Sequence, residues 1–299
     1  HSTSRRQRQM CIRDSIYENL ERNSTCAGLF FDLSKAFDTI DHSIMLGVLE
    51  RCGFRGICGK LLQSYLTNRQ EVVCITQDNQ SYFSRAQNVT KGVPQGSILG
   101  PVLFLLYVNE IGGGMLSGML CQYADDTSVI LSCERLCDLP TLCASIIKTL
   151  KEWCLDFGLM LNEQKTGLVT FRKARTGTQS LLVRTNGNKG KSIQDLDSVK
   201  FLGVHIDPSL RWQIQINSLV SKLNSFCALL RRIREVLSTE TLCQFYFASV
   251  QSLMCYSILF WGSSSEAMKV FIAQKRVIRC LVGLHPRTSC KPFFLNSDY

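Results

Sequence analysis

Tyr123-Ala124-Asp125-Asp126 sets two neighbouring carboxylates between apolar, strand-forming stretches, Met119-Leu120 and Val129-Ile130-Leu131. Adjacent acids repel each other, and apolar flanks push them towards low dielectric, so a cation must offset the cost. A third carboxylate, Asp32, ends the apolar run Gly28-Leu29-Phe30-Phe31. Three acids delivered by strand ends could meet at one edge of a sheet. Hard oxygen donors of this kind suit magnesium, which keeps waters and shares its remaining positions with phosphates. Taken alone, Asp125-Asp126 reads better as a plain hairpin turn, and only the other motifs favour the metal reading. A second feature is Lys91-Gly92-Val93-Pro94-Gln95-Gly96-Ser97, a glycine-rich loop running into the apolar stretch Ile98–Val108. Glycines let a backbone approach a ligand closely, and a helix N-terminus offers unpaired N–H groups. Such a loop also serves as a plain connector in many proteins.

The elements that must position these residues follow from periodicity and turn chemistry. Cys26–Phe31 reads as the strand that delivers Asp32. Asp41 is an N-cap for a helix whose apolar face holds Ile44, Val48, Leu49 and Cys52 and which ends at Gly53. A short helix over Leu61–Leu66 leads to a strand over Glu71–Thr76, a turn at Asp78-Asn79 and a return strand from Tyr82. Gly112-Gly113-Gly114 turns the chain towards the Asp125-Asp126 hairpin. Pro140–Leu161 reads as one amphipathic helix closed by Asn162, and Lys165–Phe171 as a strand. Residues 172–191 are the most loop-like, with a hairpin signal at Asn186-Gly187. Val199–Ile206 reads as one strand closing at Asp207-Pro208. Helical stripes then run from Gln213 onward, which predicts a domain boundary near Trp212.

With 299 residues, 45% of them hydrophobic, the chain can bury a full core. Its net charge of +10 favours a polyanionic partner. The 15 cysteines are odd in number and include no Cys-x-x-Cys pair, which suits a reduced, intracellular protein with buried thiols rather than a zinc site. The reading expects no signal peptide or transmembrane segment, since the longest apolar run is too short to span a bilayer. Arg5 to Ser15 resembles a translated sequencing adaptor, codon by codon. On that reading residues 1–15 are a scar, disordered and packed against nothing. Setting them aside removes four arginines and one aspartate and leaves the chain basic.

Five stretches in order, Phe31–Asp38, Gly92–Pro101, Tyr123–Asp126, Leu161-Asn162-x-x-Lys165-Thr166 and Phe201–Val204, resemble the reverse transcriptase motifs of non-LTR (LINE-type) retrotransposons, the jockey-like group in particular. Tyr256–Gly262 and Gln274–Arg279 resemble the region that follows the polymerase core in these elements. The resemblance implies an α+β right-hand polymerase: a palm with an antiparallel sheet and partial fingers over residues 16–212, then an all-helical thumb over 213–299. It implies an RNA-directed DNA polymerase that takes an RNA template, a DNA primer or target and deoxynucleoside triphosphates, with two Mg2+ ions or Mn2+ in their place. By position in the motifs, Asp32, Asp125 and Asp126 match the metal-binding acids. Lys165 matches a proton donor to pyrophosphate. Leu33, Phe37, Gln95, Gly96 and Ala124 match nucleotide-binding residues, with Phe37 as the bulk that excludes a ribose 2′-hydroxyl. Phe201, Leu202 and Gly203 match the primer-grip hairpin. Lys222, Arg231, Arg232 and Arg234 could track a nucleic-acid backbone from the thumb.

The pattern departs from the family at the ends, where an endonuclease domain and most of the fingers would precede Asp32, so the reading expects an incomplete open reading frame. The expected place of work is the nucleus and cytoplasm, in a ribonucleoprotein. An inactive retroelement fragment and a non-catalytic nucleic-acid scaffold with a polymerase-like fold stand as alternatives. Three clustered acids argue against the scaffold, because they would repel its phosphates.

Overall fold

The computed structural model describes residues 5–94, 96–112, 118–172, 182–184 and 192–295. Gln95, Gly113-Gly114, Asn186-Gly187 and the last four residues lie outside them. The fold is mixed helix and sheet, in two compact units. One comprises residues 15–168 and 179–195, the other residues 1–14, 169–178 and 196–299.

Helix α1 (Arg5–Glu21) leads into strand β1 (Thr25–Phe31) and the short β2 (Leu33–Ser34), with Asp32 between the two strands. β1 is buried from Cys26 onward, as expected of an apolar run in a sheet interior. Asp41 caps α2 (His42–Arg51): its carboxylate accepts from the N–H groups of Ser43 and Ile44, and Met45, Val48 and Leu49 turn inward. α3 (Gly56–Leu66) starts earlier than the sequence suggests and buries only Leu66. β3 (Arg69–Glu71), β4 (Cys74–Gln77), β5 (Gln80–Phe83) and β6 (Gln87–Val89) form a two-tier ribbon, with β4 paired to β5 and β3 to β6. Asp78 and Asn79 both adopt positive φ, as a tight two-residue hairpin requires. The strand expected over Glu71–Thr76 is broken at Val72-Val73, where the Ser84 hydroxyl takes the Val73 N–H in place of a ladder partner.

α4 (Leu99–Val108) buries Leu103, Phe104, Tyr107 and Val108. The hairpin of β7 (Met119–Tyr123) and β8 (Asp126–Cys133) follows. α5 (Leu139–Asp156) is shorter than the helix read from the pattern. Gly158 takes φ +63°, its N–H donates to Leu155, and the Leu159 N–H reaches back to Cys154, which ends the helix in a Schellman turn. The next two residues become strand β9 (Met160–Leu161), opposite β2. β10 (Gly167–Phe171) follows, and β1, β8 and β7 lie in that order in a sheet in which β8 is antiparallel to both of these neighbours. β11 (Leu182–Arg184) and β12 (Ser192–Gln194) make a separate pair. The core of this unit joins Leu29, Phe31, Val129 and Leu131 of the sheet to Met45, Phe104, Tyr107, Ile146, Leu150 and Trp153 of α2, α4 and α5.

In the other unit, Val199–Ile206, one strand by its residues but a hairpin by the resemblance, is a hairpin, β13 (Val199–Phe201) and β14 (Val204–Ile206), turned by Leu202 and Gly203 at φ +48° and +82°. The unit takes this hairpin with it, so its last segment starts at Leu196 rather than near Trp212. Asp207, 7% exposed, accepts from the N–H groups of Ser209, Arg211 and Trp212 and from the Ser209 hydroxyl, which fixes the entry to α6 (Gln213–Ile233). α7 (Thr239–Phe245), a π-helical turn, α8 (Ser252–Cys255), α9 (Ile258–Trp261), α10 (Met268–Val282) and α11 (Lys291–Leu295) follow. Leu219, Leu223 and Leu230 are buried on α6, and α10 packs against it.

The expectation that residues 1–15 pack against nothing is corrected here. They are rich in helix-forming Arg, Gln and Met, and from Arg5 they lie in α1. Gln9 and Ile12 share a face and are 4% and 1% exposed, while Met10 is half-buried. The Gln9 amide is satisfied on both sides: its nitrogen donates to the Leu202 carbonyl (3.0 Å) and its oxygen accepts from the Ser257 hydroxyl (3.0 Å). Among the described residues, no helix is long and apolar enough to cross a membrane.

Candidate active site

Strand register brings the acids together. Phe31 faces Thr127 across β1 and β8, and Tyr123 closes the β7–β8 hairpin opposite Asp126. Asp32, one residue past Phe31, therefore stands level with Asp126, one residue before Thr127. Asp125 sits in the two-residue turn beside Ala124, whose φ of +52° is unusual for a residue with a Cβ. All three carboxylate residues are half-buried at this end of the sheet.

Asp32 is held from the β9 side. The Asn162 N–H donates to the Asp32 carbonyl (2.9 Å), and the Asn162 amide donates to the Asp32 carboxylate (3.4 Å). Lys165 Nζ lies 3.2 Å from the same carboxylate oxygen. Asn162 also positions that lysine, because its side-chain oxygen accepts from the N–H groups of Gln164 and Lys165. Asn162 stood in the sequence only as part of a motif. Its two-sided role needed the β2–β9 pairing to become visible.

Leu33 is 6% exposed in β2, paired with Leu161, so it can meet a ligand only through its backbone. Phe37 stacks on Phe104 with ring centroids 4.3 Å apart, which fixes its bulk near the loop after Asp32. The glycine-rich loop docks on that same loop. The Gly92 N–H donates to the Ile40 carbonyl, the Val93 N–H donates to the Phe37 carbonyl, and His42 hydrogen-bonds the Gly92 carbonyl at 2.7 Å. A Cβ on Gly92, at φ +82°, would lie 3.0 Å from the Asp38 backbone, so only glycine fits. Gly96 has open space where a side chain would be.

Phe201, Leu202 and Gly203 lie in the other unit. Phe201 and Leu202 are buried, and the Leu202 carbonyl accepts from Tyr256 (2.5 Å) and Gln9.

Among the described residues, no three His, Cys, Asp or Glu side chains form a ready metal cage. The donor chemistry nevertheless fits a hard divalent ion: carboxylate oxygens only, half-buried, on adjacent strand positions. Such a set suits an ion that keeps waters and completes its shell with phosphate. In the structure Lys165 supplies positive charge at Asp32.

One sheet thus presents three acids at one end, with a glycine-rich loop docked on the segment after the first. Over residues 2–206 the chain matches the reverse transcriptase (RNA-dependent DNA polymerase) family, and it belongs to that family. Among curated relatives, it is 24% identical to the probable RNA-directed DNA polymerase from transposon BS of Drosophila melanogaster, covering 89% of this chain and 30% of the relative. It is 24% identical to the RNA-directed DNA polymerase from mobile element jockey of Drosophila funebris, covering 89% and 29% respectively. The chain thus spans less than a third of these relatives' length. Among solved structures, telomerase from Candida albicans aligns with a TM-score of 0.48 at 11% identity, over 96% of this chain and 53% of that one.

Proposed function

We propose that the unit carrying Asp32, Asp125 and Asp126 is the palm of an RNA-directed DNA polymerase of a non-LTR retrotransposon, and that the helices from Gln213 onward are its thumb. The reaction is nucleotidyl transfer from a deoxynucleoside triphosphate to a primer 3′-hydroxyl on an RNA template, with release of pyrophosphate. The observation that carries the reading is the register that sets Asp32 level with Asp126. Asp32, Asp125 and Asp126 would hold two Mg2+ ions, or Mn2+. Bound there, the ions would supply charge stabilisation for in-line phosphoryl displacement.

The chain's own residues do the positioning. Asn162 orients Lys165 next to Asp32, where the ammonium can reach a triphosphate and give a proton to the departing pyrophosphate. Phe37, braced by Phe104, limits room at the sugar and disfavours a 2′-hydroxyl by bulk. Gly96 leaves open space for the incoming nucleotide, and by motif position Gln95 and Ala124 would share its contacts with the nucleotide and the template base. The turn at Leu202-Gly203 presents backbone rather than side chains to a primer end, since the Phe201 and Leu202 side chains are buried. The basic charge supports nucleic-acid partners, in a ribonucleoprotein of the nucleus and cytoplasm. The adaptor origin of residues 1–15 rests on codon resemblance alone, and a genomic read that encodes them continuously with Ile16 would refute it.

The test is primer extension on an RNA template, by the chain joined upstream of Ile16 to the corresponding segment of a jockey polymerase. Magnesium-dependent synthesis is expected, and Asp125→Asn or Asp126→Asn should remove it, a fall of at least about a thousandfold. Full activity in either variant would overturn the assignment of the acids.

A further inference from the structure

The unit containing the helices from Gln213 holds a cavity of about 770 Å³ between the C-terminal halves of α6 and α10. Arg231 and Arg234 enter it from α6 and its end, and Arg276 and Arg279 from α10. Among the described residues none of the four forms a salt bridge, and no acid lines the cavity. The Arg279 Nε–H is satisfied by the Thr288 carbonyl at 2.8 Å, which fixes that side chain. Gly283, at φ +72°, ends α10; a Cβ there would meet Arg234 Nη1 at 2.9 Å, so the missing side chain leaves room for the Arg234 fork.

The Cys227 thiol does not neutralise this charge. Burial pushes Cys227 up to about 11, even though Arg231 and Arg276 pull it down, so it stays uncharged at neutral pH. Arginines in the last turns of helices are often explained by the helix dipole, and that accounts for Arg231 and Arg279. It does not account for Arg276, nor for the convergence of four like charges on one concavity, where they repel one another.

We propose that this cavity binds a compact polyphosphate through Arg231, Arg234, Arg276 and Arg279. Guanidinium forks match phosphate oxygens in pairs, and four of them around one space call for phosphates bunched together. A nucleic-acid backbone presents its phosphates singly along a line. The four forks here are instead gathered around one half-open space with the volume of a small-molecule site. The same chemistry could come from a free polyphosphate or from the 5′-triphosphate end of an RNA strand. The proposal is independent of the polymerase reading.

The test is isothermal titration of the full chain with sodium tripolyphosphate in physiological salt. Saturable binding of one anion per chain is expected. Arg231→Gln with Arg276→Gln should weaken it by at least about tenfold, since two charge-assisted forks are lost. Arg55→Gln with Arg85→Gln removes the same charge at exposed positions outside the cavity and should leave binding within about twofold. Arg276→Lys keeps the charge and loses the fork, so it should weaken binding several-fold and serves if the double variant does not fold. Competition by a short 5′-triphosphorylated RNA would identify a strand end as the source, and its failure to compete would identify the free anion. The proposal is overturned by the absence of saturable binding, by equal weakening in the control pair, by unchanged binding in Arg276→Lys, or by a 5′-hydroxyl RNA that competes as well as tripolyphosphate.

Discussion

Asn162 is the residue on which the proposed chemistry leans without touching the reaction. It contacts Asp32 through both backbone and amide and holds the Lys165 backbone with its side-chain oxygen. Asn162→Ala should lower primer extension about tenfold in the jockey chimera. Adding Lys165→Ala on top should cost much less than Lys165→Ala costs alone, because the two act through one arrangement. Simple additivity in that cycle would show that Asn162 is only a scaffold residue. Phe37→Ala should behave differently, since bulk governs selectivity rather than chemistry. Deoxynucleotide incorporation should largely persist, while ribonucleotide incorporation rises at least about tenfold, read by parallel extension with each triphosphate. The ion pair of Lys165 with Asp32 should add little to stability, because the lysine side chain is 68% exposed.

At the scale of elements, the caps and close approaches make the sharpest demands. Hydrogen bonds from Ser43 and Ile44 lower the Asp41 carboxyl below its usual 3.8. A folded-state value below the unfolded one means that this stabilisation is present above pH 3.8 and is lost as pH falls through the lower folded value. Asp41→Ala should therefore cost about 1 kcal/mol at neutral pH by denaturant melts, and the gap from wild type should close in acid. Gly92→Ala should do worse, by about 2 kcal/mol or more, because positive φ and the 3.0 Å approach to the Asp38 backbone act together. It should also depress extension, as the glycine-rich loop would lift from the segment after Asp32. Ile12→Ala reports on α1. Its burial predicts a loss of about 2–5 kcal/mol, and an unchanged melting midpoint would return residues 5–14 to the unpacked state that their codons suggest.

For the whole molecule, a net charge of +10 predicts that binding to a primer–template duplex weakens steeply with salt. Filter binding should give a linear fall of log K against log salt, and a flat response would count against an electrostatic partner. Much of the fold and of the candidate site was legible in the sequence: the acids at strand ends, the Asp41 cap, the Asp78-Asn79 turn, the apolar stripe of α6. These are local codes, in which a residue's neighbours within a turn or two decide its conformation. The sequence could not decide where a periodic pattern stops obeying its own period. The apolar residues of Met160–Leu161 continue the α5 pattern, yet a Schellman turn at Gly158 and pairing with β2 convert them to strand. Val199–Ile206 alternates like one strand, yet it folds back at Leu202-Gly203. Gln9 and Ile12 carry no local sign of burial, and what buries them is long-range contact, such as the Leu202 and Ser257 partners of Gln9. Composition and motif order by themselves pointed to the family and singled out the three acids as candidates. Register alone set Asp32 level with Asp126, and helix packing alone gathered four arginines around one cavity, because both depend on contacts between residues far apart in the chain.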